Sequence, residues 1–388
     1  MSSVGLYIIG KTTAMAISKA RPKKLKIVLV CKRLYTNKDL FDDQFGRLFH
    51  IPVQLAKLEH EVTVIALDYK SGRPQQVVEL QAVRFISFPV ASVSGVTFMV
   101  YRLYRELRRI SPQVLIASGD TYIGGLTALM AYLLDRPWIF DVYDDYRCFA
   151  SARIPGMKSL FQKLIFSADH VLVASKPLKK LLGSSSSSLT VIENGVDLSL
   201  FRPLERAVCR KRLNIPTTDV VVGFFGSIED KRGTRILLEA VQSILPKYPT
   251  LRVLLAGKNN LSLELKGAHI DYRGMQPQTF LPTMINACDV VTIPYELDPQ
   301  VEMSNPCKVA EYLACHIPVV VTKVSNMSEI FASTPEVLAQ PGSVESLAEA
   351  LLRQLKEPTF TPLPDGLSWF DLAQLVEQVL YHASTSRS

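Results

Sequence analysis

The sequence predicts an α/β protein built from two tandem Rossmann-like domains that face each other across a cleft. Short apolar runs rich in β-branched residues, such as Leu25 to Val30 (LKIVLV) and Glu61 to Leu67 (EVTVIAL), recur along the chain. Such runs suit strands buried on both faces of a parallel sheet. Stretches with helical spacing fall between them, and strand, helix, strand within about forty residues is by default a right-handed crossover. The chain has 388 residues, 48% of them hydrophobic, enough for two domains of ordinary size.

In order, the strand at Leu25 to Val30 leads into a polar loop, Lys32 to Asp43, then a helix from Phe45 to about Leu58 and the strand Glu61 to Leu67. Further strands are expected at Arg84 to Phe88, Val114 to Ala117, Trp138 to Asp141 and His170 to Ala174. Gly183 and the serines 184–188 form a low-complexity stretch that reads as a linker. The alternation then restarts with strands at Leu189 to Ile192, Val220 to Phe225, Arg252 to Ala256, His269 to Tyr272, Val290 to Ile293 and Pro318 to Thr322. Helices are expected at Thr234 to Leu245, Thr279 to Cys288, Pro306 to Cys315 and Val344 to Leu355, and Ser368 to His382 is one amphipathic helix. The expected domains are a basic arm (1–24), a first α/β domain (25–182), a second (189–366) and a closing helix with tail (367–388).

Charge is unevenly placed. Lys and Arg number 44 against 36 Asp and Glu, yet residues 1–180 carry +12 and residues 181–388 carry −4. That asymmetry suits an anionic partner for the first half, a membrane surface or a nucleic acid, beside the plainer reading of a basic arm and surface scatter. The six cysteines form no CxxC pair and the six histidines no HxxxH or HExxH group, so no metal site is expected and the thiols read as core residues in a reducing compartment. Every long apolar run is broken by charge before the ~18 residues a membrane span needs. Val4 to Gly10 is cut short by Lys11, and the bases follow the apolar stretch, which makes a poor secretory signal.

Two tandem domains of this kind bind nucleotides between the carboxyl ends of their sheets. A dinucleotide is disfavoured, because Cys31 to Gly46 contains no GxGxxG. The densest chemical constellation is Ser304 to Val320 (SNPCKVAEYLACHIPVV). Ser304 or Asn305 suits a helix N-cap and Pro306 a first turn, so a positive helix end backed by Lys308 would suit a diphosphate, with Glu311 placed for a ribose diol. A capped structural helix with an exposed Lys and Glu is the alternative. In Val220 to Gly233 (VVVGFFGSIEDKRG) a strand ends at Gly226 and Ser227, and Lys231 and Arg232 follow; glycine lets a ligand approach and a cation neutralises a departing diphosphate. The run from Val191 through Asn194 and Gly195 to Asp197 reads as a tight turn.

Taken together, IENGVDLSLFRP, FFGSIEDKRG and NPCKVAEYLACHIPVVV, in that order, resemble the nucleotide-sugar half of GT-B glycosyltransferases, in particular glycosyltransferase family 4 (group 1). KIVLV followed by FGRLFHIPVQLAKLEHEVTVI resembles the family's first half, with Glu59 where the family has glycine. The resemblance implies that Glu311 holds the ribose, that Asn305 and Pro306 face the diphosphate and that Arg232 stands for the family lysine. It further implies that Gly46 lies by the donor phosphates with Arg47 beside it, that Gly274 and Met275 line the base, and that the closing helix packs back on the first domain. Three positions depart. Ser227 replaces an arginine, for which Lys308 or Lys231 would compensate; the family's first glutamate falls at Met303, beside Glu302; and its histidine-aspartate step reads Tyr143-Asp144-Asp145, where Asp144 or Asp145 would orient or deprotonate an acceptor hydroxyl.

The implied activity is retaining, metal-independent transfer of a hexose from a UDP- or GDP-sugar to a lipid-linked or envelope saccharide, without a cofactor, in the cytoplasm or at the inner membrane face. Arg102, Arg105, Arg108 and Arg109, interleaved with Tyr101, Tyr104 and Leu107, suit an anionic lipid surface or a solvated helix face. Nucleic acid then loses its motivation as a partner. The departures leave open a non-catalytic nucleotide-binding partner or scaffold of envelope assembly, and a nucleotide-sugar isomerase.

Overall fold

A computed structural model describes residues 23–35, 38–70, 72–90, 93–183 and 188–385. The arm up to residue 22 and the serines 184–187 lie outside the described residues. The first domain carries strands β1 (Lys26–Lys32), a small hairpin of β2 (Leu34–Tyr35) and β3 (Lys38–Asp39), β4 (Glu61–Asp68), β5 (Gln76–Leu80), β6 (Val83–Pro89), β7 (Val114–Ser118), β8 (Trp138–Val142), β9 (His170–Val173) and β10 (Leu189–Val191). Its helices are α1 (Arg47–Lys57), α2 (Val93–Ile110), α3 (Thr121–Leu134), α4 (Met157–Ser167) and α5 (Lys176–Leu182). The eight-stranded sheet runs β10-β9-β8-β7-β1-β4-β6-β5, parallel except for β5.

Alternate residues of one strand feed opposite faces. Ile27, Leu29 and Cys31 of β1 join the core under α1, while Val28 and Val30 join the core under α2, α3 and α4. The second domain continues with α6 (Arg206–Leu213), β11 (Val220–Phe225), α7 (Thr234–Ile244), β12 (Leu251–Ala256), β13 (Ile270–Tyr272), α8 (Leu281–Asn286), β14 (Val290–Ile293), α9 (Pro299–Met303), α10 (Cys307–Ala314), β15 (Val319–Thr322), α11 (Met327–Ile330), β16 (Leu338–Ala339) and α12 (Val344–Lys356). Its parallel sheet runs β13-β12-β11-β14-β15-β16 over a single core.

The last helix, α13 (Trp369–Thr385), lies on the first domain, where Leu372, Ala373, Val376 and Leu380 share a core with Leu48, Ile51 and Leu55 of α1. His60 fixes it there, accepting from Leu25 N–H through Nδ1 and donating from Nε2 to Glu377 at 2.8 Å. His50 stacks on Trp369 with ring centres 5.2 Å apart.

The domain boundary differs from the expected one. β10, expected to open the second domain, pairs in parallel with β9 at the edge of the first sheet. A three-residue strand carries no sign of which sheet it joins. The chain therefore crosses after Ile192, not at the serine stretch, and it crosses beside its own return: Val196 N–H donates to Leu367 O and Trp369 N–H to Val196 O. Gly195 is needed there, since a Cβ would stand 2.8 Å from Leu372 and 2.9 Å from Trp369.

Candidate functional site

The carboxyl ends of both sheets face the same cleft, and hydrogen bonds cross it. Ser175 Oγ, at the end of β9, donates to Met303 O at 2.8 Å, and Asn194 Nδ2 donates to Asn305 O at 2.6 Å. Asn326 Nδ2 donates to Glu193, and Lys176 pairs with Glu329.

On the second domain, β11, β12 and β13 are each followed within two residues by a glycine, Gly226, Gly257 and Gly274, and the three loops stack. Gly257 N–H donates to Gly274 O at 2.8 Å, and a Cβ on Gly257 would collide with Gly226 O. A Cβ on Gly226 would in turn collide with Lys308 Nζ. Only bare backbone therefore leaves the Lys308 ammonium its place. That ammonium lies 4.6 Å from the Phe224 ring centre and 5.1 Å from that of Tyr295. Arg232 stacks on Tyr295 at 4.4 Å. Burial pushes the Tyr295 phenol up, but Lys308 and Arg232 outweigh it and hold the group below its ordinary value. The two cations thus flank one aromatic platform beside the start of α10.

That helix begins differently from expectation. Pro306 itself is the cap, without a side-chain hydrogen bond; Ser304 Oγ donates to Val301 O, and Asn305 Oδ1 accepts from Asn194 N–H. Asn305 is taken by the segment that connects the domains and Ser304 by the preceding helix α9, so the first turn of α10 has no capping oxygen. Glu311, one turn on, is buried, and burial pushes its carboxyl up to about 7 against the opposing pull of Lys308, of Lys38 from the first domain and of Gln278. Met275 is exposed in the loop beyond Gly274, and Ser227 is half-buried beside Gly226.

On the first domain the structure separates the two acids after β8. Asp145, one of the two acids expected to orient or deprotonate an acceptor hydroxyl, caps a short 3-10 turn and binds Arg147 through both oxygens, at 2.8 and 3.0 Å, so its carboxylate is occupied by that guanidinium. Asp144 instead faces the second domain and accepts from Gln300 Nε2 at 3.2 Å. Gln300 Oε1 accepts from Lys231 at 2.7 Å. Burial pushes Asp144 up to about 6, opposed by the bond from Gln300. Gln300, Tyr295 and Gln278 carried no signal in the sequence, because their partners lie far away along the chain.

Arg47 is a second correction. It follows Gly46, which occupies the N-cap of α1 with φ 72°, but its guanidinium is fully buried. It binds both oxygens of Asp141, at 2.7 and 3.2 Å, and Ile192 O at 3.0 Å. It ties β8 to the crossing segment and is not free to meet a phosphate. Glu302, beside Met303, accepts from Ser325 N–H.

A cavity of about 770 Å³, lined by Lys24, Lys26, Glu61, Arg84 and Arg109, opens elsewhere, at the amino ends of β1, β4 and β6. Lys26 pairs there with Glu61, and Arg84 and Arg109 with Glu106. Ligands of doubly wound sheets bind at the opposite, carboxyl edge, so the cleft is the better site.

With this geometry in place, residues 49–200 match the family model "Glycosyltransferase Family 4" and residues 219–357 match "Glycosyl transferases group 1", together more than half of the chain. The chain belongs to the family 4, group 1 glycosyltransferases. It is 28% identical over 261 residues to TuaC of Bacillus subtilis, named as a teichuronic acid biosynthesis glycosyltransferase, a match covering 66% of this chain and 64% of that one. It is also 28% identical over 183 residues to a D-inositol 3-phosphate glycosyltransferase of Mycobacterium tuberculosis, covering 43% and 36%. The matches thus span less than two thirds of these relatives. The fold is that of sucrose-phosphate synthase from Thermosynechococcus elongatus (TM-score 0.75, 18% identity, 94% of this chain and 100% of that one). It is also that of Anabaena HepE in complex with UDP and glucose (TM-score 0.69, 16%, 92% and 100%). These are GT-B proteins, and the two facing domains here have the same arrangement.

Proposed function

We propose that the protein transfers a hexose from a UDP- or GDP-sugar to a lipid-linked or cell-envelope saccharide, with retention, at the inner face of the membrane. The observation that carries this reading is the pair of cations on Tyr295 beside the start of α10, with Glu311 buried behind them and Asp144 opposite. The β-phosphate sits against the free first turn of α10, where backbone N–H groups and Lys308 meet it, and Arg232 takes part of the charge. Glu311 accepts from the ribose diol. The bond from the anomeric carbon to the β-phosphate oxygen breaks as the acceptor oxygen attacks from the same face, and the acceptor proton passes to the departing phosphate. Asp144 orients the acceptor hydroxyl. Charge stabilisation of the leaving diphosphate supplies most of the rate, and neither a metal nor another cofactor is invoked. TuaC, named for teichuronic acid biosynthesis, and HepE, seen in complex with UDP and glucose, agree with this donor and acceptor class.

Incubation of the purified protein with UDP- and GDP-sugars and a membrane extract tests the proposal. Acceptor-dependent release of nucleoside diphosphate is the expected result. Donor binding without turnover overturns it in favour of a nucleotide-binding partner, and an altered sugar nucleotide in favour of an isomerase.

A further inference from the structure

α3 breaks the usual pattern of a surface helix. Its fourteen residues, TYIGGLTALMAYLL, contain no charge, a composition that normally marks a helix buried all round. One side is buried, with Gly124 packed so closely that a Cβ would stand 2.7 Å from Phe140. The other side is not covered. Tyr122, Leu129, Tyr132 and Leu133 follow at helical spacing and are exposed, Tyr132 by 83%. Neighbouring helices extend the surface, α2 with exposed Phe98 and Tyr101 and α4 with exposed Leu160 and Phe166. Exposed apolar side chains gathered on three neighbouring helices of one face mark a binding surface, with Arg102 over Phe98 and Arg105 over Tyr101 at its α2 side.

Cations border it on both sides. Arg105 and Arg108 are exposed on α2, each over a tyrosine of the same helix, and Lys158 and Lys163 are exposed on α4. Glu106, the acid within α2, is bound by Arg109. No described helix is long and apolar enough to cross a membrane, and α3, about 21 Å long, is too short to do so. An apolar stripe between basic borders suits a helix lying in the interface of an anionic bilayer. A second copy fits less well, because an isologous contact would set cations against cations. The stripe also begins beside the cleft, since Tyr122 follows Asp120 at the carboxyl edge of the first sheet.

We propose that the α2–α3–α4 face docks the first domain on an anionic lipid surface, with α3 lying in the interface and the cleft mouth at headgroup level. This rests on the lipid-linked acceptor proposed above and names the surface that would bring the enzyme to it. The test is flotation of the full chain with vesicles of phosphatidylglycerol and phosphatidylcholine against phosphatidylcholine alone, with UDP- and GDP-binding measured on the same samples. The native chain should float with the anionic vesicles and be released by salt. Tyr132→Glu/Leu133→Glu should lose at least tenfold in partition, and Arg105→Glu/Arg108→Glu on the order of a hundredfold, with melting temperature and nucleotide binding unchanged. Unaltered flotation of both variants overturns the proposal, as does recovery of the native chain in the soluble fraction with both vesicle types. A dimer in solution that Tyr132→Glu/Leu133→Glu dissolves overturns it in favour of a second copy. Nucleotide binding without flotation sinks the docking face alone; flotation without nucleotide binding sinks the donor reading alone.

Discussion

Replacing Glu311 with glutamine separates the burden of burying this carboxylate from its use. Burial raises the Glu311 pKa from 4.5 to about 7, and each unit is worth ~1.4 kcal/mol between the protonation states. The folded protein holds this proton more tightly than the unfolded chain does. The side chain's contribution to stability is therefore full below about pH 4.5 and is lost as pH rises through about 7. At pH 8 the ionised group thus destabilises the donor-free protein by about 3 kcal/mol, and near pH 5 by about 1 kcal/mol or less. Glu311→Gln keeps the shape and removes the charge. In urea unfolding without donor, the variant should match the native chain near pH 5 and exceed it by about 3 kcal/mol at pH 8. If the ionised carboxylate binds the ribose, losing those bonds should weaken UDP or GDP binding by roughly 10- to 100-fold. A stability difference independent of pH would refute the burial argument, and undiminished nucleotide affinity would refute the placement of the ribose.

Burial pushes the Asp144 carboxyl up to about 6, so turnover that needs its carboxylate should fall as pH drops through 6; Asp144→Asn should reduce kcat by roughly 10²-fold through lost orientation of the acceptor and abolish that limb. Gln300→Leu removes the bond that favours the ionised form, so the limb should move to higher pH; a pH–rate profile checks both. Gly233 has φ 67° and no room for a Cβ against Pro294 O, so Gly233→Ala should cost more than about 2 kcal/mol by urea unfolding. Arg47→Leu leaves Asp141 buried without its cation and should cost about 3–5 kcal/mol, with nucleotide affinity unchanged in the folded fraction. An unchanged melting temperature with weakened nucleotide binding would instead make Arg47 a donor contact.

The strands were legible because parallel strands buried on both faces read as unbroken apolar runs, and β1, β4, β7 and β11 fall within about two residues of expectation. β5 was not, because its side chains alternate between half-buried and exposed at the sheet edge. Its turn also places Gln81 and Ala82 at positive φ without the glycine or asparagine that would announce it. The donor half of the site was legible because a helix start, a strand-end glycine and nearby cations are local patterns. The acceptor half was not, because Asp144 and Arg47 find partners far along the chain and Arg147, two residues beyond Asp145, could by sequence serve either acid. Asp144 and Asp145 are neighbours of one type, and only the fold gives Arg147 to one and Gln300 to the other. Arg47 looked available beside Gly46 because its partner, Asp141, lies on another strand.

The cations of the second domain sit within a half of the chain that carries a net charge of −4, so the net charge of a domain does not by itself say where an anion binds. Arg206 and Arg210 are spent on Asp289, Arg252 on Asp219 and Arg273 on Asp271. Lys308 and Arg232 face aromatic rings instead, Phe224 and Tyr295. An aromatic face holds a cation in place without neutralising it, so the positive potential of these two groups stays directed into the cleft. A carboxylate in place of Tyr295 would fix the same geometry and cancel the field that a leaving diphosphate requires.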